Sequence, residues 1–412
     1  MKNIITLLRE RGFIEAVTSD ELEEMASKPL TLYIGFDPTA ESLHLGNLVG
    51  MMAAAFFKKC GHKVIALVGG ATGMIGDPGG RSSERNLLDH HEVERNLKGI
   101  RRSLEPVLGD TLILNNYDWL KDFSFIEFLR DVGKHFRLGT MLSKEMVKTR
   151  LASEEGLSFT EFSYQLLQAY DFFHLNSQHG VTLQIGGSDQ WGNIVAGTEF
   201  VRKRTGKSVY GLTFPLLTRS DGKKFGKSEG GAIWLNSDKL APFDFYQYLY
   251  NMPDADMGKM LRIFTFLPIE EIEVIERKME AEPHSAQKRL AEEVTRLVHG
   301  EEGLREALKI TAAAQPGAKT ELSADVLAAL PQKSLAVSDV IGKTAVDLLT
   351  FAELCSSRGE ARRLIEGGGV YINNEKLVDE QFIFEKNHLV EGKFLLLGVG
   401  KKKKLVISID FS

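Results

Sequence analysis

Cysteine is nearly absent, with two in 412 residues, and tryptophan and proline are sparse at 3 and 11. Cys60 and Cys355 stand far apart and form no pair motif. That argues against a disulfide scaffold or a cysteine-held metal, and reads both as small apolar residues of a reducing compartment. No stretch approaches the roughly 18 uncharged apolar residues of a membrane span. The opening Met1-Lys2-Asn3-Ile4-Ile5 runs into Arg9 and Glu10 without the apolar core of a signal peptide. A cytoplasmic protein without a membrane partner is expected. Neither sign of charge is in excess, at a net −5 and a pI near 6.1. No global field announces a polyanionic partner, although a local basic face would be enough for one.

What is present is an ordinary globular composition, 43% hydrophobic and 26% charged, in a chain too long for one average domain. Leu30 to Phe36 (LTLYIGF) reads as a short buried strand, and Asn47 to Cys60 as a helix closed by Gly61. Apolar strands follow at Lys63 to Val68, Thr111 to Leu114 and Val181 to Ile185, with a helix at about Tyr164 to Phe172. Alternating strands and helices imply a doubly wound parallel sheet over residues 1–220. From Pro242 the spacing is helical without strands, so 238–314 is read as a helical domain after a connection at 221–237. The turn-rich Gln315-Pro316-Gly317 opens a linker at 315–343, and 344–412 is a small α+β module with a hairpin signal at Asn373-Asn374.

Chemistry concentrates in two places. His44 and Gly46 sit where a strand turns into a helix, at the sheet edge where such folds bind nucleotides. A helix N-terminus suits phosphate there, although His44 alone reads equally well as a capping or packing residue. The second place is Arg219 to Ser228, where glycines flank Lys223, Lys224 and Phe225. Its lysines are point charges suited to polyphosphate, and a solvated basic loop is the equal alternative. Tyr164, Gln168 and Asp171, spaced four and three apart, share one helix face. They form either a wet surface or a polar pocket.

Taken together, His44-Leu45-Gly46-Asn47 resembles the HIGH motif of class I aminoacyl-tRNA synthetases, and Lys224-Phe225-Gly226-Lys227-Ser228 resembles their KMSKS motif in its KFGKS form. The text between them, Phe162-Ser163-Tyr164, Leu167 to Asp171 and Gln184 to Asn193, resembles the tyrosyl-tRNA synthetase family of bacterial type over nearly the whole chain. The resemblance implies a Rossmann-like catalytic domain and the activation of L-tyrosine by ATP, followed by transfer to tRNA-Tyr. It implies that Tyr33 and Asp171 bind the phenolic hydroxyl, that Asp77, Tyr164 and Gln168 bind the ammonium, and that Gln190 lies near the carboxylate. Gly35, Asp37, Gly187 and Asp189 would line the adenosine. Thr39, His44, Gly46, Asn47, Lys224, Lys227 and Ser228 would hold the phosphates, joined by Arg81 and Arg85. Asn47 stands where the motif has its second histidine, and Arg81 where many relatives have lysine.

Mg²⁺ would arrive with ATP, with no protein-bound structural metal. Near the end, Arg358-Gly359-Glu360-Ala361-Arg362-Arg363 with Gly369 to Asn373 resembles an RNA-binding domain shared with a ribosomal small-subunit protein. Arg358, Arg362, Arg363 and the run from Lys401 and Lys402 to Lys404 would face phosphates, and the family is a homodimer. The rivals are a tryptophanyl-tRNA synthetase, which shares fold and motifs, and a noncatalytic RNA-binding protein on a synthetase fold.

Overall fold

The computed structural model describes residues 2–410 except 80–87, 155, 221, 223–224, 229–230, 319–321 and 401–402; for Glu145, Met146 and Ser228 only the backbone is described. The chain divides into two compact units, one of residues 1–240 with 247–300, the other of 241–246 with 301–412.

In the first unit, apolar runs become central strands buried on both faces, as a helix-covered parallel sheet requires, while the two edge strands are only partly buried. The strands are β1 (Ala16–Val17), β2 (Thr31–Phe36), β3 (Lys63–Val68), β4 (Leu112–Asn115), β5 (Leu183–Gly187) and β6 (Tyr210–Phe214), ordered β1-β6-β5-β2-β3-β4. All neighbours are parallel except β1, which runs antiparallel to β6. The connecting helices are α1 (Leu45–Lys59), α2 (His90–Leu108), α3 (Phe159–His179) and α4 (Trp191–Thr205). Met, Ala and Phe bury α1 along nearly its whole length, and Gly50 lies so close to Ile34 and Phe214 that a Cβ would meet them at 2.7 and 2.8 Å. On α3, Phe172 and Leu175 pack with Tyr33, Ile65 and Leu67 of the sheet. Because β2 is followed by β3 on one side and flanked by β5 on the other, the strand order reverses there. That reversal opens a crevice at the strands' carboxyl ends, the place where open α/β sheets take ligands.

After the sheet, α5 (Met257–Phe264) is the element that matters for the site. The helical run Ser285–Ala313 breaks at Gly300 (φ 71°, ψ −177°), where the compact units divide, whereas sequence pattern put a break near Gln315.

In the second unit a five-stranded sheet runs in the order Glu375–Leu377, Val370–Ile372, Phe394–Val399, Lys403–Asp410, Gln332–Ala336. Asn373 and Asn374 both take positive φ (48° and 69°), as the tight hairpin predicted there demands. Gln332–Ala336, within the stretch read as a linker, instead pairs in parallel with Lys403–Asp410. Its text, QKSLA, buries only Leu335, and so carries no hydrophobic alternation to announce a strand.

Candidate active site

The crevice is a cavity of about 420 Å³, and every candidate pocket residue among the described ones except Lys227 lines it: Tyr33, Gly35, Asp37, Thr39, His44, Gly46, Asn47, Asp77, Tyr164, Gln168, Asp171, Gly187, Asp189 and Gln190. The alternative of a wet helix face for α3 falls, because Tyr164 and Asp171 are buried. Ser158 caps α3 by accepting the Glu161 N–H at 3.2 Å, which fixes the start of the helix and the direction of that face.

One part of the site is dry and charged. Asp171 is 2% exposed, and its two carboxylate oxygens accept from Asn116 Nδ2 at 2.9 Å and Trp119 Nε1 at 2.8 Å. Burial pushes its carboxyl up to about 7, and these two donors hold it from rising further. Asn116 and Trp119 went unread in the sequence. The available signal was position, for both follow the carboxyl end of β4, the edge where the other site residues gather. The Tyr33 hydroxyl is buried and has no hydrogen-bond partner among the described residues, nor have Gln168 Oε1 and Gln184 Oε1. Burial raises the Tyr33 phenol well above its ordinary range, and the charge of Asp171 adds to the shift. Three orphaned polar atoms lining one cavity are costly unless a ligand satisfies them.

A second part is already hydrogen-bonded. Tyr164 donates its hydroxyl to Asp37 at 3.2 and 3.3 Å, and Gln190 Nε2 donates to Asp77 at 2.6 Å and to Asp189 at 3.1 Å. The residues that the resemblance divides between ammonium, carboxylate and adenosine therefore form two bonded groups, Tyr164 with Asp37 and Gln190 with Asp77 and Asp189, which bring three carboxylates to the cavity.

The third part is the helix corner, where the capping reading of His44 is realised. His44 is the N-cap of α1: its Nδ1 accepts the Gly46 N–H at 3.1 Å, and Asn47 Oδ1 accepts the His44 N–H at 3.0 Å. The Gly46 N–H is thus already engaged, and the helix end is less open to phosphate than the bare turn suggested. Burial lowers the His44 pKa and the Lys227 charge lowers it further. The ring is neutral near pH 7, and its accepting Nδ1 places the proton on Nε2, a donor at the cavity. Asn47 likewise keeps its amide N–H₂ as a donor.

Gly226 meets this corner. At φ 76° it takes a conformation suited to glycine, and a Cβ there would stand 2.9 Å from Gly46 N. The two motifs, 180 residues apart in the chain, are backbone neighbours. Lys227–Ser228 pairs antiparallel with Gly231–Ala232. Arg81, Arg85, Lys224, Lys401 and Lys402 lie outside the described residues, as does the Ser228 side chain.

In the second unit, Arg358, Arg362 and Arg363 are exposed on helix Arg358–Glu366. Arg358 pairs with Asp347 at 2.8 Å, and Arg362 lies 3.9 Å from Glu380. Carboxylates therefore temper the expected positive face.

Residues 25–314 match the family described as tRNA synthetases class I (W and Y), and 326–407 match the tyrosine--tRNA ligase SYY-like C-terminal domain. The chain is 54% identical to the tyrosine--tRNA ligase of Protochlamydia amoebophila (strain UWE25), over 99% of both chains. It is 49% identical to the chloroplastic/mitochondrial tyrosine--tRNA ligase of Arabidopsis thaliana, over 99% of this chain and 84% of that one. Among solved structures, the C-terminally truncated mitochondrial tyrosyl-tRNA synthetase of Aspergillus nidulans superposes with a TM-score of 0.68 at 32% identity, covering 74% of this chain and 92% of that chain. The chain belongs to the tyrosine--tRNA ligases, within the tryptophan and tyrosine group of class I tRNA synthetases.

Proposed function

We propose that this chain joins L-tyrosine to ATP, giving tyrosyl-AMP and pyrophosphate, and then passes the tyrosyl group to the terminal adenosine of tRNA-Tyr. The observation that carries the choice of substrate is the buried, unpartnered Tyr33 hydroxyl beside the buried Asp171 carboxylate. A phenolic hydroxyl donates to the carboxylate and accepts from Tyr33. Phenylalanine leaves the Tyr33 hydroxyl unpaired and brings no further donor to Asp171, and tryptophan offers an indole N–H donor without an acceptor for Tyr33. The carboxylates of Asp37, Asp77 and Asp189 suit the α-ammonium and the ribose hydroxyls, and Gln168 Oε1 is an acceptor in want of a donor.

The substrate carboxylate is ionised near pH 7, so one of its oxygens attacks the α-phosphorus without a general base. The bond to pyrophosphate breaks and its electrons leave on the pyrophosphate oxygen. Catalysis then rests on alignment and on donors that meet the developing charge. His44 Nε2–H, the Asn47 amide, Thr39 and the lysines of the loop are such donors; Arg81 and Arg85 are proposed to join them. Mg²⁺ is proposed to come with ATP, held by phosphates and water. Among the described residues no group of three or more His, Cys, Asp or Glu converges on a metal position.

The exposed arginines of helix Arg358–Glu366 are proposed to contact tRNA phosphates. A homodimer is proposed from the family resemblance and from apolar side chains left exposed, among them Phe125, Ile126, Leu138, Leu151 and Phe159. No helix among the described residues is long and apolar enough to cross a membrane; a place in the cytoplasm is proposed from the family resemblance. Amino-acid-dependent ATP–pyrophosphate exchange tests the reading. Tyrosine is expected to support exchange. Exchange with tryptophan alone, or with neither, would overturn it.

A further inference from the structure

Two described points of the stretch leading to Lys227, Ser220 and Phe225–Gly226, are held by side chains that follow it in the chain, and nothing in the proposed chemistry uses those ties. At its start, the Ser220 N–H donates to both carboxylate oxygens of Asp256 at 3.1 and 3.2 Å, and the Ser220 hydroxyl donates at 3.1 Å. Asp256 is buried and is the N-cap of α5. At the far end, the Gly226 N–H donates to the Tyr248 hydroxyl at 3.1 Å, and the neighbouring Phe225 ring stacks on Phe264 at 5.3 Å between centroids and 13° between planes. Asp256 and Phe264 stand at opposite ends of the same eight-residue helix. The Arg219 guanidinium lies 5.7 Å from the centre of the Tyr248 ring.

That helix is itself fixed. The buried Arg11 donates to the carbonyls of Arg262 at 2.8 Å, Thr265 at 2.9 Å and Leu267, closing the carboxyl end of α5. The Arg11 guanidinium also sits over the Phe56 ring of α1 at 4.5 Å. So the helix whose N-terminus holds His44, Gly46 and Asn47 and the helix that anchors the lysine segment are joined through one arginine. Leu45 N–H donates to Ile233 O at 2.8 Å, and Ile233 N–H donates to Gly226 O at 2.9 Å, which adds a direct backbone link.

We infer that Asp256 and Tyr248 are positioning residues for ATP use: by holding Ser220 and Gly226 they fix the backbone from which Lys227 extends, so that its charge stands near His44 at the α1 N-terminus. Neither residue lines the cavity, so their effect reaches the nucleotide only through the segment they hold. This inference rests on the proposed phosphate role of the lysines. Its signature is selective, because ATP use depends on the segment's placement while tyrosine meets Tyr33 and Asp171 elsewhere in the cavity.

The test is ATP–pyrophosphate exchange by the full chain, with tyrosine Kd and Tm measured on the same preparations. Tyr248→Phe keeps the ring and removes the acceptor for the Gly226 N–H. It is expected to raise KM for ATP on the order of tenfold, with tyrosine Kd unchanged. Asp256→Ala is expected to cost ten- to about a hundredfold in kcat/KM for ATP, because it removes three contacts to a charged group. Asp256→Asn is expected to recover most of that loss, since its amide oxygen still accepts from Ser220. Should Asp256→Ala fail to fold, Tyr248→Phe decides the matter. Wild-type ATP parameters in folded Tyr248→Phe, alongside an impaired Lys227→Ala, would overturn the positioning role. Equal losses in ATP and tyrosine would overturn it too, since they mark a general structural defect. Normal exchange by Lys227→Ala would remove the phosphate role of the lysines, and the positioning role with it.

Discussion

The part of the cavity proposed for tyrosine and the part proposed for phosphate are built on opposite plans. Around Tyr33 and Asp171 the groups are buried and set by side-chain hydrogen bonds from Asn116 and Trp119, with an unsatisfied hydroxyl waiting. Around His44 the contact is made by backbone, glycine against glycine, and the nearby charge described is that of Lys227, next to the held Gly226. The first plan recognises a hydroxyl because burial makes an unpaired polar group costly. The second is proposed to bring cationic donors to a charge that builds up only as pyrophosphate leaves. We propose that selection and acceleration come from separate sets of residues, which mutations should separate.

The largest separation is expected at Lys227. Lys227→Ala should lower kcat/KM for pyrophosphate exchange by about 10²- to 10³-fold, the usual cost of losing one charged transition-state contact. Tyrosine Kd, read by equilibrium dialysis, should stay put. An equal loss in Kd would break the distinction. The reverse experiment is Asp171→Asn, expected to weaken tyrosine ten- to about a hundredfold while leaving KM for ATP unchanged.

Protonation sharpens the same contrast. With its carboxyl pushed up to about 7, Asp171 is mostly protonated at pH 6 and mostly ionised at pH 8. Asn116 and Trp119 both donate to it, and with the phenol donating as proposed, the ionised, acceptor-only form is the one that binds. Tyrosine affinity should rise about tenfold from pH 6 to pH 8, and the rise should vanish in Asp171→Asn. Stability of the unliganded protein runs the other way. A carboxyl with a raised folded pKa binds its proton more tightly in the native state than in the unfolded chain, so its ionisation costs stability as pH climbs from about 4 to about 7. The smallest effect is expected for Tyr33→Phe, which removes one uncharged hydrogen bond and should weaken tyrosine about three- to tenfold.

Much of this was legible from residue order alone. β2, β3 and α1 are unbroken apolar runs, and the spacing of Tyr164, Gln168 and Asp171 put them on one helix face, which the fold turns into the cavity. Three features were not legible, each for a physical reason. Asn116 and Trp119 belong to the site only because β4 pairs beside β3, a tertiary fact without local periodicity. The meeting of Gly46 with Gly226 joins segments far apart in sequence, and no local pattern records such a contact. His44 was ambiguous between cap and phosphate donor because one ring can serve both, with Nδ1 turned to the helix and Nε2 carrying the proton.

The division of labour is tested most directly by the ratio of kcat/KM for tyrosine to that for phenylalanine in pyrophosphate exchange, measured for the wild-type chain and for Asp171→Ala. The ratio is expected to fall by about tenfold or more in the variant, with KM for ATP unchanged when tyrosine is saturating. An unchanged ratio would contradict the assignment of tyrosine selection to the buried Asp171 and Tyr33 pair.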